Sequence, residues 1–240
     1  MLSVVVPVYN ESEGIEFFHQ ELLLPHAKDV SDNSFELVYV NDGSRDDTLQ
    51  KLTEIAKKNP HVKIVNLSRN FGKEIATSAG ISVSRGAATV IMDGDGQHPP
   101  AILGEFIEKW KQGAQVVVGV RSSNQKEGAI KKWGSKVFYQ LFNSVSDANI
   151  VPRSTDYRLI DAAVRREFIR FTERNRITRG LIDWLGFKRD YVTFDSPARL
   201  AGEASYTTKQ LFRLAVNSFT TLTLRPLFFF GWMGAVITVA

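Results

Sequence analysis

Cysteine is absent from all 240 residues, which excludes disulfide staples and thiolate metal sites. A reducing compartment is compatible with that absence. Strong charge of one sign is lacking as well. The 30 basic and 26 acidic side chains leave a net charge of +4, too little for a dedicated nucleic-acid binder. No basic segment followed by an apolar stretch opens the chain, so no secretory leader is expected. The first apolar run is not followed by Gly-x-Gly-x-x-Gly, so a dinucleotide-binding dehydrogenase is not expected. Internal repeats and low-complexity segments are missing too. What remains, 43% hydrophobic and 23% charged residues, is the composition of a folded domain with a real core.

The first half alternates between two periodicities. Strands are predicted over 2–8, 35–40, 62–67, 87–92 and 114–120. Helices are predicted over 12–26, 46–58, 73–84 and 101–111. Asp46 and Asp47 suit the positive N-terminal end of the second helix. This alternation predicts an α/β fold: a mostly parallel sheet with helices on both faces. In such sheets ligands bind beyond the carboxyl ends of the strands. Those ends carry Tyr9-Asn10-Glu11, Asn41-Asp42-Gly43, Ser68-Arg69-Asn70, Asp93-Gly94-Asp95 and Arg121.

The second half is less regular. Helices are predicted over 130–145, 162–171 and 178–185, a strand over 191–194, and a loop over 149–156. Positive charge concentrates here. Residues 121–136 hold five basic side chains against one acidic, and 197–225 hold four against one, so an anionic partner is expected to dock on this half. A helix predicted over 207–222 has Phe212, Val216 and Phe219 on one stripe, bordered by Lys209 and Arg213. That pattern suits a membrane interface. The last 15 residues, 226–240, carry no charge. They are too few to cross a bilayer, which takes about 20, and read as the start of a membrane segment. The expected organisation is therefore a catalytic domain over 1–196, a juxtamembrane segment over 197–225 and the beginning of a transmembrane helix over 226–240.

The sharpest local feature is Asp93-Gly94-Asp95-Gly96-Gln97-His98-Pro99-Pro100, which directly follows an apolar strand. In a continued strand Asp93 and Asp95 face the same side. Gly94 and Gly96 let a ligand approach the backbone. Oxygen donors without sulfur favour Mg²⁺ or Mn²⁺. Asp93, Asp95 and the neutral oxygen of Gln97 are the expected ligands, with His98 as a supporting group rather than a ligand.

Four segments taken in order carry a family resemblance. They are Val4-Val5-Val6-Pro7-Val8-Tyr9-Asn10-Glu11, Val40-Asn41-Asp42-Gly43-Ser44, Ser68-Arg69-Asn70-Phe71-Gly72-Lys73 and Asp93-Gly94-Asp95-Gly96-Gln97. Together they resemble the family 2 glycosyltransferases with the GT-A fold. Asp156-Tyr157-Arg158-Leu159 and the segment from Arg199 to Tyr206 resemble that family's polyprenyl-phosphate branch, which contains bactoprenol glucosyltransferases and dolichol-phosphate mannose synthases. The resemblance implies that Pro7, Tyr9, Glu11, Asp42, Lys73 and Asp93 bind the nucleotide-sugar, with Arg121 facing its phosphates. It implies Asp156 on the acceptor side. It also implies that Arg158, Arg199, Ser205, Lys209 and Arg213 hold the lipid phosphate. Asp95, Asp156 and Arg121 are then the expected catalytic set.

The implied reaction moves a sugar from a nucleotide-sugar, glucose from UDP-glucose first, onto a polyprenyl phosphate such as undecaprenyl phosphate. It is metal-dependent, inverts the anomeric centre and takes place at the cytoplasmic face of a membrane. GDP-mannose is the alternative donor. Processive polysaccharide synthases of the family carry Gln-x-x-Arg-Trp; this sequence has none, and Trp184 lacks the preceding Arg. A membrane scaffold that binds nucleotide-sugar without turnover is the non-enzymatic alternative. Self-association through the membrane segment is a further expectation.

Overall fold

The computed structural model describes residues 1–32, 34–122, 153–172 and 177–197. All of them fall in one compact unit. The predicted helices over 130–145 and 207–222, the apolar run 226–240, and Arg199, Ser205, Lys209 and Arg213 lie outside the described residues.

Seven strands form one sheet: β1 Leu2–Val8, β2 Phe35–Asn41, β3 Val62–Asn66, β4 Ala88–Ile91, β5 Val116–Arg121, β6 Ser154–Asp161 and β7 Arg189–Phe194. Their spatial order is β3-β2-β1-β4-β6-β5-β7. Every neighbouring pair is parallel except the two that involve β6. Six of the seven residues of β1 and all seven of β2 are buried. Continuous apolar runs of this kind mark strands covered on both faces. Successive side chains feed opposite cores. Val4, Val6, Leu37, Tyr39 and Val90 meet Phe18, Leu52 and Phe106 on one face. Val5, Val38 and Val40 meet Ala76 on the other. Each fully buried apolar side chain contributes about 1.5–3 kcal/mol relative to exposure.

The helices are α1 Ile15–Phe17, α2 Leu24–Ser31, α3 Thr48–Lys58, α4 Lys73–Val83, α5 Leu103–Lys111, α6 Ala162–Ile169 and α7 Thr178–Trp184. Two expectations are corrected. The helix predicted over 12–26 is three pieces, with a π-helical segment Phe18–Leu23 joining α1 to α2. Pro25 has no N–H to give to a carbonyl four residues back, and the wider π turn before it absorbs that mismatch. The loop predicted over 149–156 gives way to β6 from Ser154 onward. Its polar first residues hide the strand period, and its ladder partners come from distant β4 and β5. Among the described residues no helix is long and apolar enough to cross a membrane.

Candidate active site

The antiparallel β6 builds the site. Its register against β4 pairs Ile91 with Arg158. Continued two residues past the end of β4, the same register sets Asp93 opposite Asp156. An antiparallel strand enters the sheet at the end where its parallel neighbours leave it, so the start of β6 joins the carboxyl rim.

Lys73, the first residue of α4, lies between these two acids. Its Nζ is 2.7 Å from Asp93 Oδ1 and 2.9 Å from Asp93 Oδ2. It is 2.8 Å from Asp156 Oδ2. Burial disfavours the Lys73 ammonium, but Asp156 and Asp93 outweigh burial and hold it above the ordinary lysine range. Burial likewise opposes the Asp156 carboxylate, yet Lys73, Arg179 and Arg158 hold it far below the ordinary carboxylate range. Both groups are therefore charged at neutral pH. Glu74, next along α4, is shifted the other way: burial and the neighbouring Asp156 charge push its carboxyl up, while its Oε2 accepts the Thr178 N–H at 2.7 Å.

The Asp93–Pro100 loop is held from beneath. His98 is buried, and its Nδ1 accepts the Asp93 N–H at 3.0 Å. Burial lowers the His98 pKa, so the ring is neutral with its proton on Nε2. His98 stacks on Tyr157 at 4.9 Å between ring centroids, and the Tyr157 hydroxyl donates to the Pro99 carbonyl at 3.0 Å. Inside the loop, the Gln97 N–H donates to Asp95 Oδ1 at 3.0 Å. Gly94 is closely packed here: a Cβ would lie 3.1 Å from Val8 Cγ1 and 3.3 Å from Val6 Cγ1, so both methyl groups would have to give way slightly.

Arg121 ends β5, just past a register shift between Val118 and Val120; such bulges re-aim the side chains that follow. Its Nη2 lies 3.4 Å from Gln97 Oε1. Its Nε is buried without a hydrogen-bond acceptor among the described residues. A buried guanidinium N–H left in this way is costly until an acceptor arrives, and an anionic oxygen supplies one.

Across the rim, both Asp42 oxygens are engaged. They accept the Phe71 N–H at 2.8 Å and the Gly72 N–H at 2.9 Å. Asp42 thus ties the loop before α4 to the end of β2 and sets where Lys73 begins. Gly43 permits the crossing. Its φ is +65°, and a Cβ there would stand 2.3 Å from the Arg69 carbonyl carbon. Asn10 and Glu11 are clamped to the loop after β2 and to the head of α3. Asn10 N donates to Ser44 Oγ at 3.0 Å and Glu11 N to Thr48 Oγ1 at 2.9 Å. Pro7 is half-buried near the end of β1 and Tyr9 is exposed.

Arg158 requires a correction. Its side chain is only 1% exposed, and its Nη1 and Nη2 donate to Asp183 Oδ1 and Oδ2 at 2.9 and 3.3 Å. Further bonds go to the Thr155 and Arg179 carbonyls. Arg158 is thus an interior strut between β6 and α7 that acts on Asp156 through its charge, not a side chain offered to a lipid phosphate. Sequence reasoning missed Asp183, Arg179 and Glu74. Only Glu74 had a local signal, its place directly after Lys73.

Among the described residues, no group of three or more His, Cys, Asp or Glu side chains forms a metal cage. The candidate donors that share the loop after β4, Asp93, Asp95 and Gln97, are all oxygen. Such a partial set suits a hard cation that takes its remaining ligands from substrate and water.

Comparison with known proteins fits this geometry. The family described as Glycosyl transferase family 2 matches residues 3–170. An uncharacterized glycosyltransferase of Bacillus subtilis is 39% identical over 98% of this chain and 72% of its own length. The bactoprenol glucosyl transferase of Shigella phage SfX is 32% identical over 98% of this chain and 77% of its own. Among solved structures, glucosyl-3-phosphoglycerate synthase from Mycobacterium tuberculosis, in complex with Mn²⁺, UDP and phosphoglyceric acid, aligns with a TM-score of 0.65. It is 20% identical and covers 92% of this chain and 77% of that one. A mannosyltransferase from Pyrobaculum calidifontis in complex with GDP-Man and Mn²⁺ aligns at 0.55, with 16% identity, over 83% of this chain and 58% of that one. At these identities the structural likeness is one of fold: a mostly parallel sheet of the GT-A type.

Proposed function

This chain belongs to glycosyl transferase family 2 and is a glycosyltransferase, and from that premise we propose that it transfers glucose from UDP-glucose to a polyprenyl phosphate with inversion at the anomeric carbon. The carrying observation is the convergence of Asp93, Lys73 and Asp156 on the carboxyl rim of the sheet. The acceptor and sugar rest on the relatives named bactoprenol glucosyl transferase, each aligned over nearly the whole of this chain.

Asp93, Asp95 and Gln97 would hold Mg²⁺ or Mn²⁺. When bound, such an ion takes up charge on the departing diphosphate. The remaining work falls to the chain itself. Pro7, Tyr9 and Glu11 frame the nucleoside end of the rim, and Asp42 fixes the loop that closes it. Arg121 offers its Nε and Nη2 to the diphosphate, for which a planar fork is well shaped. The acceptor phosphate oxygen attacks the anomeric carbon from the opposite face. The bond to the diphosphate oxygen breaks, and the nucleoside diphosphate leaves with the electron pair. A phosphate monoester with a second pKa near 6 is already largely dianionic at neutral pH. No strong base is needed, and Asp156, held far below the carboxylate range, is a poor one. Its role is to position Lys73 and the acceptor. Arg199, Ser205, Lys209 and Arg213 are assigned to the lipid phosphate, with the catalytic unit on the cytoplasmic side of the membrane.

The test is a donor screen on detergent-purified protein with undecaprenyl phosphate, with Mg²⁺, Mn²⁺ or a chelator. A β-linked glucolipid formed from UDP-glucose only when a cation is present is expected. A mannolipid from GDP-mannose would reassign the donor. No lipid-linked product from any donor would overturn the acceptor.

A further inference from the structure

Lys73 occupies the carboxylate that the cation is expected to use. Its ammonium touches both oxygens of Asp93, at 2.7 and 2.9 Å, and at the same time one oxygen of Asp156 at 2.8 Å. One monovalent charge thus serves two carboxylates, one on the donor side of the site and one on the acceptor side. Lys73 therefore competes with a divalent ion for Asp93. Metal–oxygen bonds to such ions are about 2.0–2.2 Å, so ion and ammonium would stand within a few ångströms of each other. At that range the repulsion between them is large even in a screened site.

We propose that Lys73 is an internal stand-in for the catalytic cation: it holds Asp93 while the donor is absent, and it yields Asp93, keeping Asp156, when a cation arrives together with the nucleotide diphosphate. This rests on the proposed metal-dependent transfer. The site's own layout supports the exchange. Lys73 sits at the head of α4, where Asp42 ties down the preceding Gly72 N–H at 2.9 Å, so the exchange asks only the side chain to move. Asp156 has a second, independent hold on the ammonium, so Lys73 need not leave the site. A diphosphate adds negative charge, which lowers the cost of bringing a divalent ion next to the ammonium. Cation and donor should therefore bind with positive coupling, each poorly alone. Lys73 is a positioning residue in this account: it acts through Asp93 and Asp156.

The experiment is a Mn²⁺ titration followed by electron paramagnetic resonance, on detergent-purified wild type, K73M and K73R, with and without UDP. In the wild type UDP should tighten Mn²⁺ binding by about tenfold or more, within the usual range of coupling between two ligands. K73M should bind Mn²⁺ without UDP about tenfold more tightly than wild type and should lose most of the UDP enhancement. K73R, which keeps a cation, should resemble the wild type. A misfolded K73M would bind less metal rather than more, so a gain in affinity is not produced by damage. If Mn²⁺ binds wild type with UDP but K73M gains nothing without it, the stand-in role is overturned and the metal-dependent transfer stands. If D95N binds Mn²⁺ with UDP as wild type does, the metal assignment itself falls, and this inference with it.

Discussion

Asp156 shows how one residue's surroundings decide its chemistry. Its carboxylate has Lys73 at 2.8 Å and the charges of Arg179 and Arg158 nearby. It keeps about a third of its surface, 33%, so solvent and substrate can reach it. Burial alone would make it a plausible base by raising its pKa; its cationic neighbours reverse the sign. It is thus ionised across the pH range in which an enzyme of this kind works, and in the proposed reaction the group that titrates there is the acceptor phosphate, near pH 6. Asp156→Asn should lower kcat by about 100-fold or more, the scale of losing one positioned electrostatic group in an active site. The acid limb of the pH profile should stay near pH 6 in the residual activity. Measuring kcat/KM against pH for both proteins checks this. An acid limb that disappeared in the variant would mean that Asp156 itself carries the proton.

At the scale of elements, the seam between β6 and α7 is where an ion pair is most exposed to damage by mutation. Arg158 and Asp183 are 1% and 6% exposed, and Arg189 Nη1 adds a third contact at 3.4 Å to Asp183. A buried pair of this kind contributes little compared with an apolar packing, but breaking it strands a charge in the interior at a cost of about 3–5 kcal/mol. Asp183→Asn should therefore lower the denaturation midpoint strongly, whereas replacing both partners, R158M with D183L, should recover most of the loss. Urea denaturation of the three proteins separates these outcomes. Equal destabilisation of the single and double variants would mean that the pair itself holds the seam. The same seam marks where sequence reading stops. The parallel strands were legible because burial on both faces leaves uninterrupted runs such as Val4-Val5-Val6, and the carboxyl rim follows from their alternation with helices. Asp93, Asp95 and Gln97 could be grouped from the sequence alone because they share one short loop. The bridge from Asp93 through Lys73 to Asp156 was not. It depends on the register of an antiparallel strand that opens on Ser154, Thr155 and Asp156 and so reads as loop. Arg158 looked like a phosphate ligand because its partner lies 25 residues on, and no local pattern links the two.

Across the whole molecule, activity and stability should answer to different groups as pH falls. Asp156 and Lys73 stay charged throughout. The lowered pKa of Asp156 contributes stability that is present above its unfolded value, about 4, and is lost only below that. The raised pKa of Lys73 contributes stability that is present below its unfolded value, about 10.4, and is lost only above it. Neither changes between pH 5 and 8. The buried histidines do change. His19 is 3% exposed and bonded through Nδ1 to the Tyr39 hydroxyl at 3.0 Å. Burial, with help from Lys28, lowers its pKa to about 4, and His98 is lowered for the same chief reason. An unfolded histidine takes up its proton near pH 6.5, so between 6.5 and 4 the unfolded chain binds protons that the folded one refuses. Stability is then fully present above pH 6.5 and falls as the solution is acidified towards pH 4. For His19 alone the loss is on the order of 3 kcal/mol. Unfolding free energies measured from pH 7.5 to 4.5 should decline in the wild type, and His19→Gln, which cannot titrate, should flatten part of that slope while lowering stability at pH 7.5. A variant whose slope matched the wild type would mean that His19 is protonated in the folded protein, and that its bond to Tyr39 does not keep it neutral.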